Sequence, residues 1–174
     1  MKKLSVAALA GVMLAVCSSA QAADVTVSVT GTVKDNTCTV SGRGIILVDM
    51  GHATNVRDMQ SVGDTGGIVP FTLKLEKCGV AASGVAVTFN GAADANNPDV
   101  LQLQSLPESA TGIGVQLLDQ NKTPLKLTTP SPVFALQTSS QEADLTLYAR
   151  YIATTTGATA GRAWAGATVN FTYQ

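Results

Sequence analysis

The sequence predicts an all-β fold, an immunoglobulin-like sandwich of two antiparallel sheets, and three observations carry that expectation. Helical periodicity is nearly absent beyond residue 22, short alternating or apolar runs recur instead, and clusters of Gly, Asn, Asp and Pro separate them. The body strands are expected near Gly44 to Met50 (GIILVDM), Ile68 to Lys77, Val85 to Asn90, Val100 to Gln104, Ile113 to Asp119, Ala143 to Ile152 and Arg162 to Tyr173. Their number and spacing fit two sheets that share one core.

Earlier still, DVTVSVTGTV (24 to 33) places Val25, Val27, Val29, Gly31 and Val33 on one parity and mostly polar residues on the other. In the Ile68 run, Phe71, Leu73 and Leu75 alternate with Thr72, Lys74 and Glu76, so one face belongs to the core and the other to water. The Ala143 run repeats this with Leu145, Leu147, Ala149 and Tyr151 against Thr146, Tyr148 and Arg150. GAADANNPD (91 to 99) and DQNKTP (119 to 124) are turn chemistry, and TTPSP (128 to 132) reads as an ordered loop or a short edge.

The final run is the longest. Ala163, Ala165, Ala167, Val169, Phe171 and Tyr173, preceded by Gly161, share one parity, with Arg162, Trp164, Gly166, Thr168, Asn170 and Thr172 opposite. Trp164 is expected on the outer face, packed against a loop, a neighbour, or Arg150 and Tyr148. With no strand after Gln174 to pair with it, this strand is expected to keep an open edge beside the core, which needs a cover because unpaired backbone groups are costly. A Val-rich, uncharged strand such as 24 to 33 suits that need. Each of its valines contributes roughly 1.5 kcal/mol if fully buried, before any ordering cost. The same strand could also fold back and complete its own sandwich. Gly31 on the buried parity implies a shallow place in the receiving groove or a kink in the strand, the plain alternative being a glycine tolerated at a frayed strand end.

Residues 1 to 22 read as a cleaved signal peptide: Lys2 and Lys3, an apolar run too short to span a bilayer, and Ala20-Gln21-Ala22 before the cut. Leu14 to Cys17 is a rival lipid-attachment box, but Val16 suits its cleavage position poorly. Cleavage after Ala22 leaves 152 of 174 residues, enough for one domain. The expected division is a leader (1 to 22), an extension (23 to 33) and a body (34 to 174). Losing Lys2 and Lys3 takes the 11 basic residues to 9 against 12 acidic ones, a net charge of −3, with no basic run to suit nucleic acid. Cys17 leaves with the leader. The remaining Cys38 and Cys78, in an oxidising compartment, predict one disulfide that closes a loop of 41 residues counted inclusively.

No constellation for catalysis stands out. GDTGG (63 to 67) has the outline of a serine-protease segment, but Thr65 replaces the serine, and His52 lies too near with too short a chain around it. Asp94, Asn96 and Asp99 lack the glycine and the bidentate glutamate of a calcium loop. Two cysteines and His52 do not make a zinc site. Asn121-Lys122-Thr123 and Asn170-Phe171-Thr172 match the glycosylation sequon only formally. The expectation is therefore no enzyme, no metal and no cofactor.

The alternating extension, the cysteine spacing, Gly161, the penultimate Tyr173, VTFNGAAD (87 to 94), GIGVQLLD (112 to 119) and LYAR (147 to 150) together resemble the chaperone–usher pilins, near the minor subunits of type 1 fimbriae. The resemblance implies an incomplete sandwich lacking its seventh strand, exported through the periplasm to a fimbrium on the bacterial surface. It implies a periplasmic chaperone that pairs with Gly161 to Tyr173 and grips the Gln174 carboxylate. At an outer-membrane usher the extension of a neighbouring pilin subunit then replaces the chaperone's strand, a form of β-augmentation. Val25, Val27, Val29, Gly31 and Val33 would be the donor strand. Gly161, Ala163, Ala165, Ala167, Val169, Phe171, Tyr173 and Gln174 would accept either the chaperone or a donor. A minor or adaptor pilin is the function implied, and a glycan-binding fimbrial adhesin is the alternative. Tip adhesins of this family carry a separate lectin domain and lack the extension, which favours the internal link.

Overall fold

The computed structural model of the chain describes residues 37–42, 44–51, 54–137 and 141–174. The leader, the extension with Val25, Val27, Val29, Gly31 and Val33, and His52 lie outside the described residues. In chain order the elements are β1 (Thr39–Val40), a 3-10 turn (Val56–Asp58), β2 (Thr65–Glu76), β3 (Gly84–Gly91) and β4 (Leu101–Gln102). There follow β5 (Ile113–Leu118), β6 (Phe134–Ala135), β7 (Ala143–Ala153) and β8 (Ala167–Tyr173). They form a five-stranded sheet in the order β1-β2-β7-β5-β4 and a three-stranded sheet in the order β6-β3-β8, with every neighbouring pair antiparallel.

The spine of the larger sheet is the pair β2 and β7, whose register sets Phe71 against Leu147 and Leu73 against Leu145. Period-two alternation makes this pairing self-consistent, because a one-residue slip would turn every leucine to solvent. Leu73, Leu75, Leu145, Leu147 and Ala149 are buried, and from the smaller sheet Val85, Val87 and Phe89 meet them in one core. Pro70 sits within β2 at no cost in pairing on one flank, since β1 reaches only Leu75 and Glu76 and leaves β2 an edge at Pro70. Along the far edge of β3, Ser131 replaces a regular strand: its N–H donates to the Val87 carbonyl and its Oγ accepts from the Val87 N–H at 3.0 Å.

Cys38 and Cys78 form the expected disulfide, with Cα atoms 4.0 Å apart, and tie the approach to β1 to the segment leaving β2. Tight turns carry the other joins. Asp119, buried at the end of β5, accepts from the N–H groups of Asn121 and Thr123, both at 2.8 Å. The GDTGG segment is a turn followed by a strand: Asp64 accepts from the Ser61 N–H, and Thr65, Gly66 and Gly67 open β2.

The boundaries differ from the sequence expectation in places that share a cause. Gly44 to Met50 belongs to no strand; its apolar run continues from β1 beyond Ser41, the last residue bonded to β2, and has no ladder neighbour among the described residues. Likewise Arg162 to Gly166 precedes β8 instead of belonging to it, because β3 ends at Gly91, opposite Ala167. A Cβ at Gly91 would lie 2.5 Å from a Leu101 methyl and 2.7 Å from the Gly166 carbonyl, so the sheet closes there on backbone alone. The short edge strand falls at Phe134–Ala135, later than TTPSP. β4 shrinks to Leu101–Gln102, while β1 had no sequence signal beyond the Cys38 that precedes it.

Replacing both Cys38 and Cys78 by serine is expected to lower stability by about 4 kcal/mol, read from the denaturation midpoint of the oxidised chain against the variant. Equal midpoints would mean that the link does not constrain the unfolded chain.

Candidate functional site: a groove beside the last strand

β8 repeats the alternation of β7 but not its burial. Leu145, Leu147 and Ala149 of β7 are at most 2% exposed, whereas Val169, Phe171 and Tyr173 are only half-buried and Ala167 is exposed. Geometry accounts for the contrast. β8 bonds to β3 along one edge and has no ladder partner on the other among the described residues.

On that open side lies a groove of about 820 Å³. One wall is Ala163 to Val169 with Phe171, the other is the extended segment from Val40 through Ile46, Leu47 and Val48 to Met50, and the floor includes Phe71, Leu73, Phe89, Leu101, Leu117 and Ala149. Ile45 is 77% and Leu47 91% exposed, so the outlying residues of that wall stand in water as apolar side chains without a cover. Beyond it the groove continues as a second cavity of about 610 Å³, at the end where β8 is approached by Gly161 to Trp164. This end is lined more by polar groups: Asp49, Thr54, Tyr151, Thr159 and Arg162 beside Met59 and Ile113. Burial raises the Tyr151 phenol pKa above its ordinary value, and the nearby Asp49 carboxylate adds to the shift.

The two walls meet at the opposite end. The Tyr173 hydroxyl donates to the Cys38 carbonyl at 3.3 Å, and its ring stacks near that of Phe171 with centroids 6.4 Å apart. Burial pushes the Tyr173 pKa up as well. Because Cys38 is fixed by its disulfide, this bond anchors the start of the first wall to the end of the last strand. Gln174 is held from the far side: its N–H donates to the Gly84 carbonyl, and its carbonyl oxygen accepts from the N–H and Oγ of Ser83.

The structure thus gathers Ala163, Ala165, Ala167, Val169 and Phe171 along one wall, with Tyr173 at its end. Gly161 has a structural role that spacing alone did not reveal. A Cβ there would fall 2.3 Å from the Ala110 nitrogen and 2.6 Å from the Glu108 carbonyl oxygen, so only glycine lets the chain press against residues 108 to 110 before turning into the groove wall. Backbone bonds secure that contact: Arg162 N–H to Glu108, Ala110 N–H to Arg162 and Gln104 N–H to Trp164. Trp164 is 56% exposed, with the Arg162 guanidinium 5.4 Å from its ring centroid. Tyr148 and Arg150 are engaged in the other sheet, by Lys122 and Gln116 respectively, and do not cover it. Sequence reasoning also missed Ile46, Leu47, Val48, Asp49 and Met50 as a wall. Their only signal was an apolar run, which any strand would have shown.

Elsewhere the acidic loop is a set of turns. Asp94 accepts from the Asn96 N–H, and Asp99 lies 3.8 Å from Lys126. Among the described residues no group of three metal-ligating side chains assembles, and no helix is long and apolar enough to cross a membrane.

Comparison with known proteins agrees with this architecture. Residues 27–174 match the family described as Fimbrial protein. The S-fimbrial protein subunit SfaG of Escherichia coli is 36% identical over 164 residues, covering 94% of this chain and 89% of that one. An uncharacterised fimbrial-like protein of Escherichia coli, YdeS, is 37% identical over 110 residues; the match spans 63% of this chain and 62% of that relative, less than two thirds of its length. Among solved structures, a chaperone–usher pilus subunit superimposes with a TM-score of 0.64 at 21% identity, over 86% of this chain and 94% of that one, and so shares the fold. From the extent of these matches, on an incomplete two-sheet body with a groove beside its last strand, the chain belongs to the fimbrial protein family.

Proposed function

We propose that this fimbrial subunit is an internal link of the fibre, of the minor or adaptor kind, and that it joins its neighbours by strand donation. In this reading the groove beside β8 accepts a strand from one neighbour, while Val25, Val27, Val29, Gly31 and Val33 enter the groove of the other. Before assembly a periplasmic chaperone occupies the same groove, and the outer-membrane usher is where the exchange takes place. No catalysis is involved.

The observation that supports this most is the difference between two strands of like sequence pattern. β7, flanked on both sides, buries its inward residues almost completely; β8, flanked on one among the described residues, leaves Val169, Phe171 and Tyr173 half-buried, the first two of them lining a groove. An extended chain with apolar residues at every second position satisfies both needs, its side chains filling the groove and its backbone completing the β8 ladder. The extension has that pattern and carries no charge between Val25 and Val33. Possession of both a groove and an extension favours a link over a terminal adhesin.

Deleting residues 24 to 33 is expected to leave chaperone binding intact and to abolish insertion into a neighbour. Co-expression followed by purification of chaperone complexes and of fibres reads both outcomes, and incorporation of the truncated subunit's strand-donating side into fibres would refute the assignment. Gly31→Leu is expected to reduce polymerisation severalfold or more while the denaturation midpoint of the subunit stays unchanged, because in the shallow-groove reading the acceptor has no room for a side chain at that position. Normal polymerisation by that variant would remove the shallow-groove reading of Gly31.

A further inference from the structure

Two apolar residues of the groove's first wall stand in water where a longer ladder would have covered them, and β2 keeps an edge bare alongside. β1 pairs with β2 antiparallel, Thr39 opposite Glu76 and Val40 opposite Leu75, and the Ser41 N–H donates to the Lys74 carbonyl at 2.8 Å. There the ladder stops. Continued in the same register, it would set Ile45 opposite Pro70 and Leu47 opposite Ile68. Residues directly opposite share a face of the sheet. Ile45 and Leu47, both largely exposed, would thus gain Pro70 and the exposed Ile68 as neighbours. Apolar burial favours that longer strand, yet the chain does not form it.

Backbone direction gives the reason. In an antiparallel ladder the N–H and C=O of one residue point to the same edge, and successive residues alternate between edges. The Lys74 carbonyl faces β1, and the register of β2 with β7 runs without interruption from Ile68 to Leu75. Ile68, Pro70 and Thr72 therefore turn their backbone groups to the β1 side as well, and none of them has a backbone partner there among the described residues. In the middle of this row Pro70 has no N–H to offer, and its ring occupies the place of the missing hydrogen. Ile45 would arrive at just that position. The chain turns away before reaching it, at Gly42 and Gly44, both in the left-handed region with φ of 78° and 71°.

We propose that Pro70 is a positioning residue for the groove: by denying Ile45 a ladder partner it stops the first strand from running on along β2, and so assigns residues 44–50 to the wall opposite β8. The inference rests on the reading of that groove as the acceptor of a strand, and adds what keeps its second wall in place. Without the proline the same apolar run has two places to go, and only one of them gives the groove two walls. The missing donor also makes the bare edge of β2 a poor template for strands of other copies.

Hydrogen exchange and peptide binding on the mature chain test this. In the parent, the amides of Ile68 and Thr72 are expected to exchange fast, and those of Phe71 and Leu73, which face β7, slowly. Pro70→Val supplies the absent N–H on a strand-forming residue. It is expected to protect the amides at positions 45 and 70 about tenfold or more. It is also expected to weaken binding of a synthetic peptide of residues 24 to 33 (DVTVSVTGTV), followed by the fluorescence of Trp164, the single tryptophan. The loss is expected to be about tenfold or more, because apparent affinity falls with the fraction of subunits that keep the wall. Adding Ile45→Pro blocks the same pair from the other side. It is expected to restore fast exchange at position 70 and peptide binding together, which a general loss of stability would not do. A Pro70→Val chain that leaves Ile45 in fast exchange and binds the peptide like the parent overturns the proposal, and so does a loss of binding that Ile45→Pro does not restore. Slow exchange at Ile68 and Thr72 in the parent overturns it without any variant, since the edge would then be covered in spite of Pro70. No binding of the peptide by the parent would sink strand donation itself, and the exchange at positions 45 and 70 would still decide the role of Pro70.

Discussion

A backbone edge withdrawn from water without partners loses several hydrogen bonds at once, and each buried, unsatisfied amide or carbonyl costs about 1–3 kcal/mol. The outer edge of β8 is held next to the core by its ladder to β3, in which Val169 stands beside Phe89, and Val169 and Phe171 line a groove that Phe89 and Leu117 also line. That single constraint organises the rest. The paired strands β2, β7, β5 and β3 supply a core of their own. It does not satisfy the last strand, and the remaining demand is for an extended backbone with apolar side chains at period two.

The devices that keep the groove open are as specific as those that close the core. The disulfide fixes Cys38, the Tyr173 hydroxyl binds the Cys38 carbonyl, and the first wall starts from that joint. At the other end Gly161 lets residues 161 to 166 lie against residues 104 to 110, which positions Ala163 and Ala165 along the wall without a strand to hold them. Small side chains at Ala163, Ala165 and Ala167 leave room that Phe or Leu at those positions would fill.

How much of this was legible beforehand depended on whether the relevant pairing was local in pattern. β2 and β7 announced themselves, because Phe71, Leu73 and Leu75, and Leu145, Leu147 and Ala149, alternate against polar residues and settle face and register together. The disulfide followed from counting. Gly44 to Met50 was misread as a strand because an apolar run states only that residues avoid water, and ladder partners are decided by distant chain. The final strand was drawn too long for the same reason: its parity persists back to Ala163, but β3 ends at Gly91. Nothing in the sequence placed Asp49 and Arg162 around one cavity, since they stand on distant segments that only the folded chain brings together.

Hydrogen exchange at the β8 amides tests the central claim most directly. Residues whose N–H groups point away from β3 are predicted to exchange rapidly in the isolated, full-length subunit and to become strongly protected in the assembled fibre, while those bonded to β3 stay protected in both. Equal protection of both sets in a monomer that stays monomeric would contradict the account, because the sandwich would then have closed on itself.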